Sequence, residues 1–169
     1  MVKICTIRGH TGCKKYWCVH HILLHYYVKG LFGIATHVVS RRLVFLGSKH
    51  IDHIFCLTFD KNSMSPYKIA EFAIAKLNRH PEKINLLKIL DVLFFDKIGQ
   101  LHAELFSAIE IMLRRARQST VFMGEVIIIS AICHTQLQPV NGRPFLFSTH
   151  AITCFMEIKT FNDYKKLLE

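Results

Sequence analysis

Residues 86–117 read LLKILDVLFFDKIGQLHAELFSAIEIMLRRAR, and inside them the four apolar residues Val92 to Phe95 are closed by Asp96. A short, wholly apolar run ended by a charge has the form of a parallel strand buried on both faces. Leu101, Leu105, Ile109 and Leu113 then recur at every fourth position, which predicts a helix over Leu101 to Arg117. Arg114, Arg115 and Arg117 sit in its last turn, where cations suit the helix dipole.

Outward from this unit the same alternation repeats. Lys3 to Ile7 reads as a strand, Gly9 to Gly12 as a turn, and Tyr16 to Val28 as a helix with Val19, Leu23 and Tyr26/Tyr27 on one face. A second strand is expected near Phe32 to Val39. Ser65 is suited to cap a helix that has Pro66 at its first position, with Ile69, Phe72, Ala73 and Lys76/Leu77 at helical spacing. Val126 to Ile129 is another buried strand, followed by a polar loop from His134 to Arg143 that contains Pro139 and Gly142. Strands alternating with helices imply an α/β domain with a mainly parallel sheet flanked by helices, and such sheets place ligands at the carboxyl ends of their strands. Three segments fall there: Gly9 to Tyr16, Asp96 to Gln100 and Cys133 to Val140.

Length and composition set the frame. The 169 residues suit one domain over 1–169, with no visible repeat and no Gly/Ser- or Pro-rich linker. With 51% hydrophobic residues the chain is globular rather than disordered or low in complexity. Lys and Arg total 22 against 12 Asp and Glu, a net charge of 22 − 12 = +10, which favours a polyanion (nucleic acid, nucleotide phosphate or an anionic membrane face), with a solvated basic surface without a specific partner an equal reading from composition alone. No apolar run approaches the ~20 residues needed to span a bilayer, so no membrane partner is expected, and the basic N-terminus lacks the apolar core of a secretory signal. Six Cys without a CxxC pair are expected to be reduced thiols of an intracellular protein, in the cytosol or nucleus.

Three constellations carry chemistry. Gly9-His-Thr-Gly-Cys-Lys-Lys15-Tyr16 partly fits the phosphate loop G-x-x-x-x-G-K-[ST], in which backbone N–H groups wrap phosphates, the Lys reaches the terminal ones and the hydroxyl holds Mg²⁺. Gly9, Gly12 and Lys15 fit the frame, whereas Lys14 stands for a Gly and Tyr16 for a Ser or Thr. Val92 to Asp96 has the apolar-strand-then-Asp form that orients Mg²⁺ in nucleotide hydrolases, but Lys97 follows where a Glu is wanted. His134-Thr-Gln136-Leu-Gln-Pro139-Val140 places Gln136 just beyond a buried strand, suited to reach a γ-phosphate.

In that order the three are far more specific than any one alone. From Gly9 to about Lys159 the chain resembles the first motor domain of the Pif/RecD-like superfamily-one DNA helicases, most closely those of Helitron-type transposons. The strongest stretch is Leu86 to Arg117, similar to that family's DVLFIDEIGQLSAEL block. HTQLQPVNGRPFLFSTHAITCF (His134 to Phe155) is similar to its Gln-containing motif, and GSKHIDHIF (Gly47 to Phe55) to its GSTIHSIF. The resemblance implies a RecA-like P-loop NTPase fold, ATP-driven unwinding of duplex DNA, ATP and Mg²⁺ as cofactors, and a nuclear location. It implies DNA as a partner, single-stranded or at duplex junctions, and a second helicase domain in trans. By it, the loop Gly9, His10, Thr11, Gly12, Cys13, Lys14, Lys15 and Tyr16 holds ATP phosphates, Asp96 holds Mg²⁺, and Gln136 senses the γ-phosphate.

The departures fall on the chemistry. Lys14, Tyr16, Lys97 and Cys133 stand where the family has the third loop Gly, the Mg²⁺ hydroxyl, the water-polarising Glu and the Asp of the Gln motif. The expectation is a single partial motor domain without the second one, with impaired hydrolysis and residual nucleotide binding through Lys15 and Lys14. Two other readings exist. One is a non-catalytic nucleic-acid-binding module that uses Lys14/Lys15, Arg41/Arg42 and Arg114 to Arg117. The other is a metal site at Cys13-x₄-Cys18-x-His20-His21, for which no second ligand pair is evident. Phe94, Phe95, Phe106 and Phe122 read as core residues, and His50 and His53 as solvent-exposed loop histidines, the resemblance implying instead a place near DNA.

Overall fold

A computed structural model describes residues 4–9, 15–37, 48–57, 64–132 and 156–158. His10, Thr11, Gly12, Cys13, Lys14, Cys133 and Gln136 lie outside the described residues, as does the whole segment His134 to Arg143 for which the sequence predicts a loop. In chain order the elements are β1 (Ile4–Arg8), α1 (Lys15–Val28), β2 (Gly33–His37), β3 (Lys49–His50), α2 (Ile51–Phe55), α3 (Pro66–Leu77), α4 (Pro81–Ile89), β4 (Val92–Asp96), α5 (Ala103–Arg117), β5 (Ile127–Ile132) and β6 (Met156–Ile158). The strands form one sheet in the order β3-β2-β4-β5-β1-β6, and every described pairing is parallel. This is the α/β architecture expected from the alternating pattern.

Burial on both faces explains the apolar strands. Leu93 and Phe95 of β4 join the core under α2 to α5, while Val92 and Phe94 join the core under α1, so successive side chains fill opposite layers. Buried polar groups inside the sheet find partners within it. Thr6 and Ser130 hydroxyls meet at 2.8 Å, and the Thr36 hydroxyl donates to the Phe94 carbonyl at 2.8 Å.

The predicted helices form, with local corrections. Leu101, Leu105, Ile109 and Leu113 are all buried, but α5 itself starts at Ala103 because Ile98–Gln100 form a separate 3₁₀ turn. Ser65 caps α3 by accepting from the Lys68 N–H at 3.4 Å, as expected. The buried face of α3 is Ala70, Ala73 and Leu77, however, and Phe72 is exposed. In α1 the inward residues are Val19, Ile22 and Tyr26, so Tyr27 turns to solvent rather than sharing their face. Phe122 is likewise exposed at 39%, unlike the buried Phe94, Phe95 and Phe106. Helix periodicity identifies a stripe, but only the docking angle of each helix decides which edge of the stripe is covered.

The arginines at the end of α5 have internal tasks. Arg117 Nη1 donates to the Lys88 and Leu90 carbonyls at 2.7 Å each, closing the C-terminus of α4, where acceptors have no helical partner. Arg114 pairs with Glu110 one turn earlier at 2.6 Å, and the Arg115 guanidinium lies 4.7 Å over the Tyr67 ring. After α5 the chain turns at Gly124, whose φ of +60° and an added Cβ 2.8 Å from the Leu113 carbonyl oxygen require glycine.

Phe95 is fully buried and packs on Phe106 with ring centroids 6.0 Å apart. Phe95→Ala is expected to lower stability by about 3–5 kcal/mol, read from urea unfolding followed by circular dichroism.

Candidate functional site at the carboxyl edge of the sheet

The parallel sheet brings the ends of β1, β4 and β5 to one edge. Gly9 leaves β1 with its N–H donating to the Ile132 carbonyl at the end of β5, which fixes where the loop after β1 begins. Re-entry at Lys15 starts α1, so Lys15 and Tyr16 occupy that helix's first turn, where the helix field favours anions. Lys15 is half-buried, and its Nζ donates to the Gly9 carbonyl at 2.9 Å, spanning the base of the loop. Gly9, Lys15 and Tyr16 are thus assembled beside Asp96, while the positions between Gly9 and Lys15 and the expected γ-phosphate sensor Gln136 fall outside the described residues.

Asp96 ends β4 and is buried, with only 2% of its surface exposed. Strand β5 lies between β1 and β4, so these two ends are separated by two strand spacings, roughly 9–10 Å. Tyr16, in the first turn of α1, reaches Asp96 directly. Its hydroxyl donates to both carboxylate oxygens of Asp96 at 3.2 Å each. The sequence reading of Tyr16 as a lost hydroxyl ligand therefore needs correction in one respect: the hydroxyl is present at the site but is directed at Asp96.

Burial pushes the Asp96 carboxyl above the usual aspartate range, because removing a carboxylate from water disfavours its charged form. The Tyr16 hydrogen bond opposes this, as do the Lys97 charge and backbone N–H and, more weakly, the Lys15 charge. Lys97 follows in the left-handed region with φ of +55°, the one described residue between Asp96 and the 3₁₀ turn. It puts an ammonium beside the Asp96 carboxylate, at the position where the sequence resemblance leads one to expect a glutamate.

A divalent cation does not fit this donor set. Mg²⁺ takes near-octahedral oxygen ligands at roughly 2.0–2.1 Å, and here both Asp96 oxygens already accept the phenol proton in a neighbourhood carrying two ammoniums. Among the described residues no group of three or more His, Cys, Asp and Glu is gathered to hold a metal.

A second polar group, missed in the sequence reading, extends along the same edge. His37 ends β2 in register with Asp96, is buried, and its Nδ1 lies 3.2 Å from the Ser48 hydroxyl. The His50 ring meets His37 edge-on at 5.3 Å, and His50 caps α2, its Nδ1 accepting from the Asp52 N–H at 3.3 Å. His50 is therefore a strand-end capping residue, and His53 lies in α2, rather than in a loop. The available signal was position: both histidines close strands at the ligand-bearing edge. On α1, Cys18 is half-buried, and His21 Nδ1 lies 2.8 Å from the Trp17 carbonyl, with the His21 and Trp17 rings 3.8 Å apart.

No family model matches the sequence, and no curated protein matches it. Among solved structures, the Pif1 helicase from Candida albicans superposes with a TM-score of 0.70 at 16% identity, over 92% of this chain and 36% of the helicase. The Bacteroides Pif1 helicase in complex with ADP-AlF3 and ssDNA gives 0.61 at 18% identity over 94% and 38%. A structure of two coordinating Pif1 helicases at forked dsDNA gives 0.57 at 19% identity over 82% and 31%. The chain thus has the RecA-like α/β fold of these helicases and spans about a third of their length.

Because the folded-state Asp96 carboxyl titrates above its unfolded value, its contribution to stability is present below the unfolded pKa and is lost as pH rises through the folded one. Asp96→Asn keeps an acceptor for Tyr16 and removes that loss. The variant is expected to match the native chain near pH 4 and to exceed it at pH 7 by about 1 kcal/mol, a melting shift of roughly 2–4 °C. Thermal melts across pH would check both sign and window.

Proposed function

We propose that this chain is the nucleotide-binding motor domain of a Pif1-type DNA helicase, acting on DNA in the nucleus together with a second motor domain supplied by another segment or chain. The observation that carries this reading is the convergence of Lys15, the α1 N-terminus and Asp96 at one edge of the sheet. That edge belongs to a fold shared with helicases whose structures hold ADP-AlF3 and ssDNA.

Lys15 and the first turn of α1 hold the nucleotide phosphates: the ammonium and the helix N-terminus both favour negative charge, and Lys15 can exchange its bond to the Gly9 carbonyl for a phosphate oxygen. The bound nucleotide supplies the free energy of phosphoanhydride cleavage. Hydrolysis by this chain is slow, because Lys97 is a cation and cannot take a proton from the attacking water, and because the Asp96 carboxylate is engaged by Tyr16. Gln136, by its place after β5, senses the terminal phosphate. DNA runs along the adjoining edge formed by β2 and β3, where His37, Ser48 and His50 lie, attracted by the +10 net charge. A purely non-catalytic nucleic-acid module is less well supported, since Arg114, Arg115 and Arg117 are all committed to internal partners.

Lys15→Ala is expected to weaken binding of a fluorescent ATP analogue by about tenfold or more while leaving the circular dichroism spectrum unchanged. Unchanged affinity would remove Lys15 from the phosphate site. Single-stranded DNA binding is expected to fall as salt rises, with a log–log slope of about −0.7 per phosphate contacted; a flat dependence in a fluorescence-anisotropy titration would count against the DNA reading.

A further inference from the structure

In phosphate-loop sites the hydroxyl at the start of the helix after the first strand and the acid at the end of a second apolar strand of the sheet, here β4, are bridged by a divalent cation. Here those two positions touch directly. We propose that this chain holds nucleotide phosphates without a divalent cation: the Tyr16 phenol closes the gap between α1 and β4, and the ammoniums of Lys15 and Lys97 supply the positive charge. The inference rests on the nucleotide reading above and adds the terms on which the nucleotide is held.

Geometry is the first support. A phenol stands against Asp96 on the side from which α1 approaches, and its one proton is shared between both Asp96 oxygens at 3.2 Å. A cation placed there would have to displace the ring as well as break the bond. Charge is the second. Asp96 already feels the Lys97 and Lys15 ammoniums and accepts from the Lys97 backbone N–H, so its single negative charge is opposed before any metal arrives. A further +2 charge would be repelled by both ammoniums in a half-buried setting where screening is weak. The two changes are also coupled. A lysine after Asp96 is unfavourable beside a divalent cation and favourable beside a bare phosphate, so Lys97 and Tyr16 suit the same metal-free arrangement.

The test is equilibrium binding of N-methylanthraniloyl-ATP to the full chain in EDTA and in excess Mg²⁺, for the native chain, Tyr16→Ser and Tyr16→Thr. The native chain is expected to bind equally in both media, within about twofold, and at least one short-hydroxyl variant to gain about tenfold tighter binding on adding Mg²⁺. Tightening of the native chain by about tenfold with Mg²⁺ would overturn the proposal and leave the nucleotide reading standing. Binding in neither medium would overturn the nucleotide reading, and this inference with it. If both folded variants stay indifferent to Mg²⁺, Tyr16 is not the residue that excludes the cation. The native-chain comparison decides the matter even where a variant does not fold.

Discussion

Strand β4 is buried along its whole length, and the arrangement of the molecule follows from covering both of its faces. Phe95 and Leu93 need a layer of helices on one side, and Val92 and Phe94 need α1 on the other. A parallel neighbour on each edge then satisfies the backbone, β2 on one side and β5 on the other. Since β5 also pairs with β1, the chain ends of three strands are forced to one edge. Asp96 is carried to that edge as the residue after an obligatory apolar run, and Lys15 as the first residue of the helix that covers the opposite face.

This division of labour separates the forces that keep the fold from those that run chemistry. The core depends on apolar volume, and exchanging one aliphatic residue for another of similar size costs little. The site depends on single functional groups with no substitute: a carboxylate that accepts a proton, a short hydroxyl that ligates a metal. Substitution at such points leaves packing untouched, so a chain with Tyr16 and Lys97 keeps a sheet that superposes on those of Pif1 helicases at under 20% identity. Asp96 is buried at the strand end, and the Tyr16 bond offsets part of the cost of that burial.

The strands and the main helices were legible because their signals are local. An apolar run closed by Asp96 and a four-residue repeat from Leu101 to Leu113 each report burial directly, and Ser65-Pro66 reports a helix start through its capping chemistry. The errors at Phe72, Tyr27 and Phe122 share one cause: an aromatic residue at the rim of a stripe is covered or bare according to where the next element ends. The arginines after Leu113 looked like a basic patch because charge is visible in a sequence. Their partners, the α4 carbonyls, Glu110 and the Tyr67 ring, come from other turns and helices.

By itself, the sequence determined the α/β alternation, the burial of β4, the positions of Gly9 and Asp96 at strand ends and that of Lys15 at a helix start, because periodicity and turn chemistry act over a few residues. What Tyr16 does was decided only by the tertiary structure. Read along the chain it is a missing serine; across the sheet it is a donor long enough to reach Asp96, 80 positions away. The reason is topology: α1 and β4 are distant in sequence, and only their packing on the parallel sheet brings the Tyr16 hydroxyl to the Asp96 carboxylate.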